Sequence, residues 1–299
     1  MNPAADTRAG AAFSLENEAA YQDWRSAKLA QFPKTLSELV VEVRDPRRLS
    51  AGEKQALLER CARANMAVYA SACANDPDKD IPRQLGLQFG LRDLDTNYLA
   101  DDDGISPLSV AERGTRGEFI PYTNRGIRWH TDGYYNPGER TVRSVLLHCV
   151  ERAESGGEND LLDHEIAYIQ LRDRDPQHVR ALMAPDAMTV PARIEDGRIE
   201  RQEQTGPVFS VDANACLHMR YTARSVSIAW KQDAATRAAL AALDDILGTT
   251  SPWMFRGRLE PGMGLLGNNV LHTRTPFTDA PERRRLIYRA RYYQRVGAG

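Results

Sequence analysis

WHTDGYYN, residues 129–136, sets a histidine and an aspartate two positions apart between aromatic residues. On an extended strand, residues i and i+2 share one side of the sheet. His130 and Asp132 then point into one space, with Thr131 and Gly133 facing away. H-x-D alone arises often by chance, and a polar pair beside a turn competes with the metal reading. The rest of the chain has to decide between them.

A metal site needs a third ligand, and the chain offers six histidines. His272, in NNVLHTRTPF, ends a strand-like run and precedes an unusual density of arginines. Two imidazoles and one carboxylate on one face of an octahedron leave three adjacent positions open, as in non-heme Fe(II) oxygenases. The other four histidines carry no such context. His148 in VLLHCV and His218 in CLHMRY are expected to pack or hydrogen-bond within sheets, and His164 and His178 to lie on the surface at helix starts.

The arginines lift His272 above chance. In ERRRLIYRARYY, positions 285, 287, 289 and 291 share one strand face, and three of the four are arginine. Guanidinium groups are costly to bury without anionic partners. The far carboxylate of a dicarboxylate co-substrate is such a partner, since it accepts a bidentate contact. A solvated basic edge strand is the competing reading for Arg283, Arg284 and Arg291.

The remaining chain sets the frame. SAGEKQALLERCARAN (50–65) carries a capping box, Ser50 with Glu53, and predicts a helix. MAVYAS (66–71) predicts a strand and IPRQLGLQFGL (81–91) a helix ending near Gly90. Asp175 and Pro176 start another helix, and DAATRAALAALDDIL (233–247) is amphipathic. Strands are expected in 117–132, 140–150, 207–230, MGLLGNNVLH and RRLIYRARYYQRV. Residues 99–117 read as a surface loop, a candidate lid. Short strands with helices in the first third and in one insertion predict an α+β chain. Residues 1–30 are expected as an arm, and 31–299 as one domain with an insertion at about 163–255.

Net charge is -2, from 39 basic and 41 acidic residues, which argues against a general nucleic-acid or anionic-membrane binder. Four cysteines without a C-x-x-C pair argue against a disulfide framework or a thiolate zinc site and point to reduced thiols. The opening residues lack a secretory pattern and no stretch is apolar enough to span a membrane, so a cytoplasmic location is expected.

In four blocks the chain resembles the taurine dioxygenase-like family of Fe(II)/2-oxoglutarate-dependent oxygenases, with its γ-butyrobetaine and clavaminate synthase relatives. These are WHTD with GYY, LLHCVERAESGGENDLLD, NNVLHTRTPF and RRRLIYRARYY, in family order over about 117–295. The resemblance implies a double-stranded β-helix (jelly-roll) core with flanking helices. It also implies iron on His130, Asp132 and His272, with 2-oxoglutarate and O2 as co-substrates. It places Arg285 on the distal carboxylate of 2-oxoglutarate, with Asn159 assisting, and Arg289 on the substrate. Tyr134 and Tyr122 are expected at the substrate too, and Arg220 and Arg224 are further cations for it. The implied reaction is hydroxylation of a small anionic or zwitterionic metabolite. Desaturation or cyclisation, a zinc hydrolase and a non-catalytic barrel are the alternatives.

Overall fold

The computed structural model describes residues 10–96, 103–111, 117, 119–195, 197–224, 226 and 228–297. Asn17 accepts the Ala20 amide at 3.1 Å and starts helix α1 (Glu18–Gln31), so the Ala-rich opening supplies an ordered helix. Tyr21 and Lys28 are buried on it, and the Lys28 ammonium sits between Asp163 at 2.6 Å and Glu165 at 2.5 Å.

Ser50 and Glu53 close the expected capping box ahead of α2 (Ala51–Ala64). Leu57, Cys61 and Ala64, spaced four and three apart, form its buried face. Helix α3 (Asp80–Gln88) stops just before Gly90, which adopts φ 77°. Gly86 within it is sterically required, since a Cβ there would lie 2.5 Å from the Tyr292 hydroxyl. Asp175 caps α5 (Pro176–Leu182), which follows α4 (His164–Arg174), and α6 (Ala234–Gly248) buries Ala239, Leu243, Ile246 and Leu247.

The contacts of the chain divide into two compact units. One comprises residues 10–32, 129–141 and 162–253, and the other the remaining described residues. The first holds α1, α4, α5, α6 and short strands. Met188–Val190 pairs with both Gln204–Gly206 and Ala229–Trp230, and Phe209–Val211 with Leu217–Met219.

Two larger sheets are centred on the second unit. Their strands are β1 (Val40–Val43), β2 (Met66–Ser71), β3 (Ser106–Leu108), β4 (Ile127–His130), β5 (Ser144–Glu151), β6 (Asn159–Leu162), β7 (Met254–Gly257), β8 (Met263–Gly267), β9 (Leu271–Arg274) and β10 (Leu286–Tyr292). One sheet has the order β1-β2-β8-β5-β10-β3, the other β7-β6-β9-β4. Only β1 and β2 pair in parallel among the pairs of the six-stranded sheet. One face of that sheet lies in a core of Leu57, Cys61, Leu85, Tyr69, Leu146, Tyr288 and Tyr292. The opposite face contributes Cys149 and Ile287 to a smaller cluster with Leu108 and Tyr122.

Two sequence expectations change here, and one open alternative for Arg291 is resolved. Strand β10 is not an edge, because β5 and β3 flank it, so Arg291 is buried and ion-paired with Asp95 at 2.6 Å. His164 is fully buried at the start of α4, with Nε2 3.0 Å from the Leu217 carbonyl, rather than on the surface. Part of the 99–117 loop is strand β3, while residues 99–102 and 112–116 lie outside the described residues.

Candidate metal centre and its surroundings

The H-T-D segment is held by backbone pairing in the first unit. The Trp129 carbonyl accepts the Ala223 amide at 2.8 Å, and the Thr131 amide donates to the Tyr221 carbonyl at 3.0 Å. Thr131 Oγ1 also accepts the Tyr221 amide at 3.0 Å, so the residue between the two candidate ligands acts as a clamp. His130 itself bridges to Thr222. Strand β4 ends at His130, and Asp132 lies in the turn that follows rather than on the strand that the sequence predicts. Gly133 follows at φ 69°, a left-handed position that glycine adopts without strain.

Arg220 fixes the chain just beyond this turn. Its Nε donates to the Tyr134 carbonyl at 2.7 Å, Nη1 to Met188 at 3.0 Å, and Nη2 to Gln204 at 2.8 Å, all backbone carbonyls. Burial pushes its pKa down to about 10. The sequence groups Arg220 with Arg224 as cations for substrate, yet Arg220 is engaged internally. Arg224 is exposed, with Nη1 3.5 Å from the Tyr134 hydroxyl.

In the second unit His272 lies on β9, with Nδ1 3.0 Å from the Val270 carbonyl. A carbonyl only accepts, so Nδ1 carries the proton and Nε2 keeps its lone pair for a metal. His130, Asp132 and His272 are the one set of potential metal ligands found among the described residues.

Asn159 and His272 are polar residues in the wall of an otherwise largely apolar cavity of about 50 Å³. Val68, Leu147, Leu161 and Leu265 supply much of the apolar surface. The Asn159 side-chain amide donates to the Thr273 carbonyl, which fixes its orientation beside β9. Tyr122, expected at the substrate, is 1% exposed and packs with Leu108, Cys149 and Ile287 as core.

Arg285 is buried and its Nη1 has no hydrogen-bond partner. Its guanidinium lies 5.0 Å from the Phe277 ring centre, and burial pushes its pKa down to about 10. An arginine so placed is suited to an incoming carboxylate. Arg289 is also buried, opposite Leu147 in the β10–β5 register.

Sequence reasoning missed Arg274. Four backbone carbonyls accept from it: Pro121 at 3.1 Å, Ile120 at 3.2 Å, Thr123 at 2.7 Å and Arg125 at 2.6 Å. Burial, reinforced by repulsion from Arg285 and Arg289, pushes its pKa down to about 9. Its signal was its place two residues past His272, on the same strand face.

Residues 72–291 match the model of the family described as taurine catabolism dioxygenase TauD, TfdA family. A uridine-5'-phosphate dioxygenase from Amycolatopsis sp is 34% identical over 176 residues, 57% of this chain and 62% of that protein. The chain thus spans less than two thirds of that relative. One of the same name from Streptomyces sp is 29% identical over 207 residues, 64% of this chain and 70% of that protein. The solved structure of non-heme iron oxygenase OrfP with Fe, succinate and (3S)-hydroxy-L-Arg is similar in fold, with a TM-score of 0.59. It is 16% identical and covers 98% of this chain and 93% of its own. By the extent of the family match, the chain belongs to the TauD/TfdA dioxygenase family.

Proposed function

We propose that this protein is an Fe(II)- and 2-oxoglutarate-dependent oxygenase that hydroxylates an unactivated C–H bond of a small anionic or zwitterionic metabolite. The observation that carries this reading is the donor set of His130, Asp132 and His272 in a chain whose residues 72–291 match the TauD/TfdA family model. The donor set of two imidazoles and one carboxylate, without thiolate, fits a ferrous ion with positions left for reactants. Bound there, iron with 2-oxoglutarate and O2 supplies the oxidising power for C–H cleavage, and succinate and CO2 are the co-products.

The protein's own groups bind, orient and exclude water. His130, Asp132 and His272 hold the metal. The buried guanidinium of Arg285 receives the distal carboxylate of 2-oxoglutarate, and Asn159, oriented by its bond to the Thr273 carbonyl, assists. Arg289 and Tyr134 face the substrate. The two larger sheets serve as the halves of a double-stranded β-helix, whose apolar interior keeps bulk water from the reacting atoms.

The names of the two curated relatives make a nucleoside 5'-monophosphate the first substrate to test. Among the described residues no helix is long and apolar enough to cross a membrane. The test is anaerobic titration of the iron-loaded protein with 2-oxoglutarate, followed by succinate assay in air. An absorption band that appears on titration and is lost in His272→Ala supports the site. A metal content of zinc alone after anaerobic purification and iron reconstitution, with no succinate formed, overturns it.

A further inference from the structure

We infer that Arg224 and the phenol of Tyr134 form an oxyanion-recognition subsite, and that the group it takes is the phosphate monoester of the substrate. The inference rests on the proposed oxygenase reading and deepens it.

Arg224 lies two residues beyond Thr222, the bridge partner of His130, and the Thr222 hydroxyl accepts the Arg224 amide at 3.4 Å. Among the described residues no carboxylate pairs with Arg224. Its one side-chain contact is the Tyr134 hydroxyl at 3.5 Å. An exposed guanidinium in a protein of 41 acidic residues, set against a phenol instead, retains its full charge and its planar fork of donors.

Tyr134 is held for the role at its other end. Arg220 grips its backbone carbonyl at 2.7 Å, and the Tyr135 ring packs edge-on against it at 5.3 Å between centres. The phenol is therefore presented from a fixed backbone, two residues past Asp132. A phenolic O–H donates to an anionic oxygen, and a guanidinium donates two parallel bonds to two more. Three acceptor oxygens on one atom match that set, and a phosphate monoester carries three.

Calorimetric titration of the anaerobic iron- and 2-oxoglutarate-loaded protein tests this with uridine 5'-monophosphate, ribose 5-phosphate and uridine. Both phosphate esters are expected to bind at least about tenfold more tightly than uridine. Arg224→Gln and Tyr134→Phe are expected to remove that difference, and Arg224→Lys to restore part of it. Wild-type affinity for both esters in Arg224→Gln overturns the subsite, as does equal binding of esters and uridine by the unaltered protein. Substrate-independent succinate formation, assayed in parallel, reports the oxygenase reading separately. Its absence beside ester-selective binding overturns that reading and leaves the subsite standing.

Discussion

Arg274 donates to the backbone carbonyl of Arg125 at 2.6 Å, reaching from β9 to the segment that leads into β4. Three further carbonyls of that segment, those of Ile120, Pro121 and Thr123, accept from the same guanidinium. Arg274→Met leaves these carbonyls without their donor in a buried site. The expected loss is about 3 kcal/mol of folding stability, measured by urea unfolding. Arg274→Lys is expected to recover only part of it, because one ammonium cannot span the fan that a planar guanidinium reaches.

His272→Ala and Arg285→Met are expected to separate metal from co-substrate. The first removes a proposed ligand and is expected to weaken Fe(II) binding by about 100-fold or more. The second keeps the three ligands, so Fe(II) affinity should hold while the 2-oxoglutarate Kd rises by about 10- to 100-fold. Anaerobic dialysis and titration of the 2-oxoglutarate complex read the two constants. An unchanged 2-oxoglutarate Kd in Arg285→Met shifts the carboxylate partner to another arginine.

His148 is fully buried, with Nδ1 2.8 Å from the Tyr69 hydroxyl, and burial pushes its pKa down from 6.5 to about 4. The unfolded chain therefore binds a proton on this residue between those two values that the folded chain refuses. Stability contributed by the neutral ring is complete above pH 6.5 and is lost as pH falls toward 4, by up to about 3 kcal/mol. Unfolding at pH 7 and pH 4.5 should show a smaller difference in His148→Gln than in the unaltered protein. An equal difference in the two shows that acid acts elsewhere.

Arg291 and Asp95 are 3% and 1% exposed at their side chains. Asp95→Asn leaves a buried guanidinium without its counter-charge and is expected to destabilise by about 3 to 5 kcal/mol. The combined Asp95→Leu, Arg291→Met replacement should recover much of that loss, since neither charge then has to be buried. Thermal unfolding of the single and double variants checks the coupling.

Local rules carried much of this architecture. The capping box at Ser50, the stop near Gly90 and the cap at Asp175 are set by neighbours within a few residues, and all three appear where expected. The H-x-D reading drew on strand alternation, whereas β4 ends at His130 and Asp132 lies in the turn beyond it. Sheet order is not local, so the sequence left Arg291 open between a solvated edge and a buried, partnered position: nothing in RRLIYRARYY says that β3 would cover that side. Arg220 and Arg274 illustrate the same gap. An arginine that feeds backbone carbonyls and one that awaits a ligand have identical surroundings in sequence, and only tertiary contacts tell them apart.

Arg220 and Arg224 both come from the 162–253 stretch, which folds together with residues 129–141 in one of the two units. His272, Arg274 and Arg285 belong to the other, where β10 takes its registers from β5 and β3. Substitutions around Arg224 can therefore retune which molecule is recognised without rewriting those registers. Directed-evolution libraries aimed at new substrates have their natural target in that stretch.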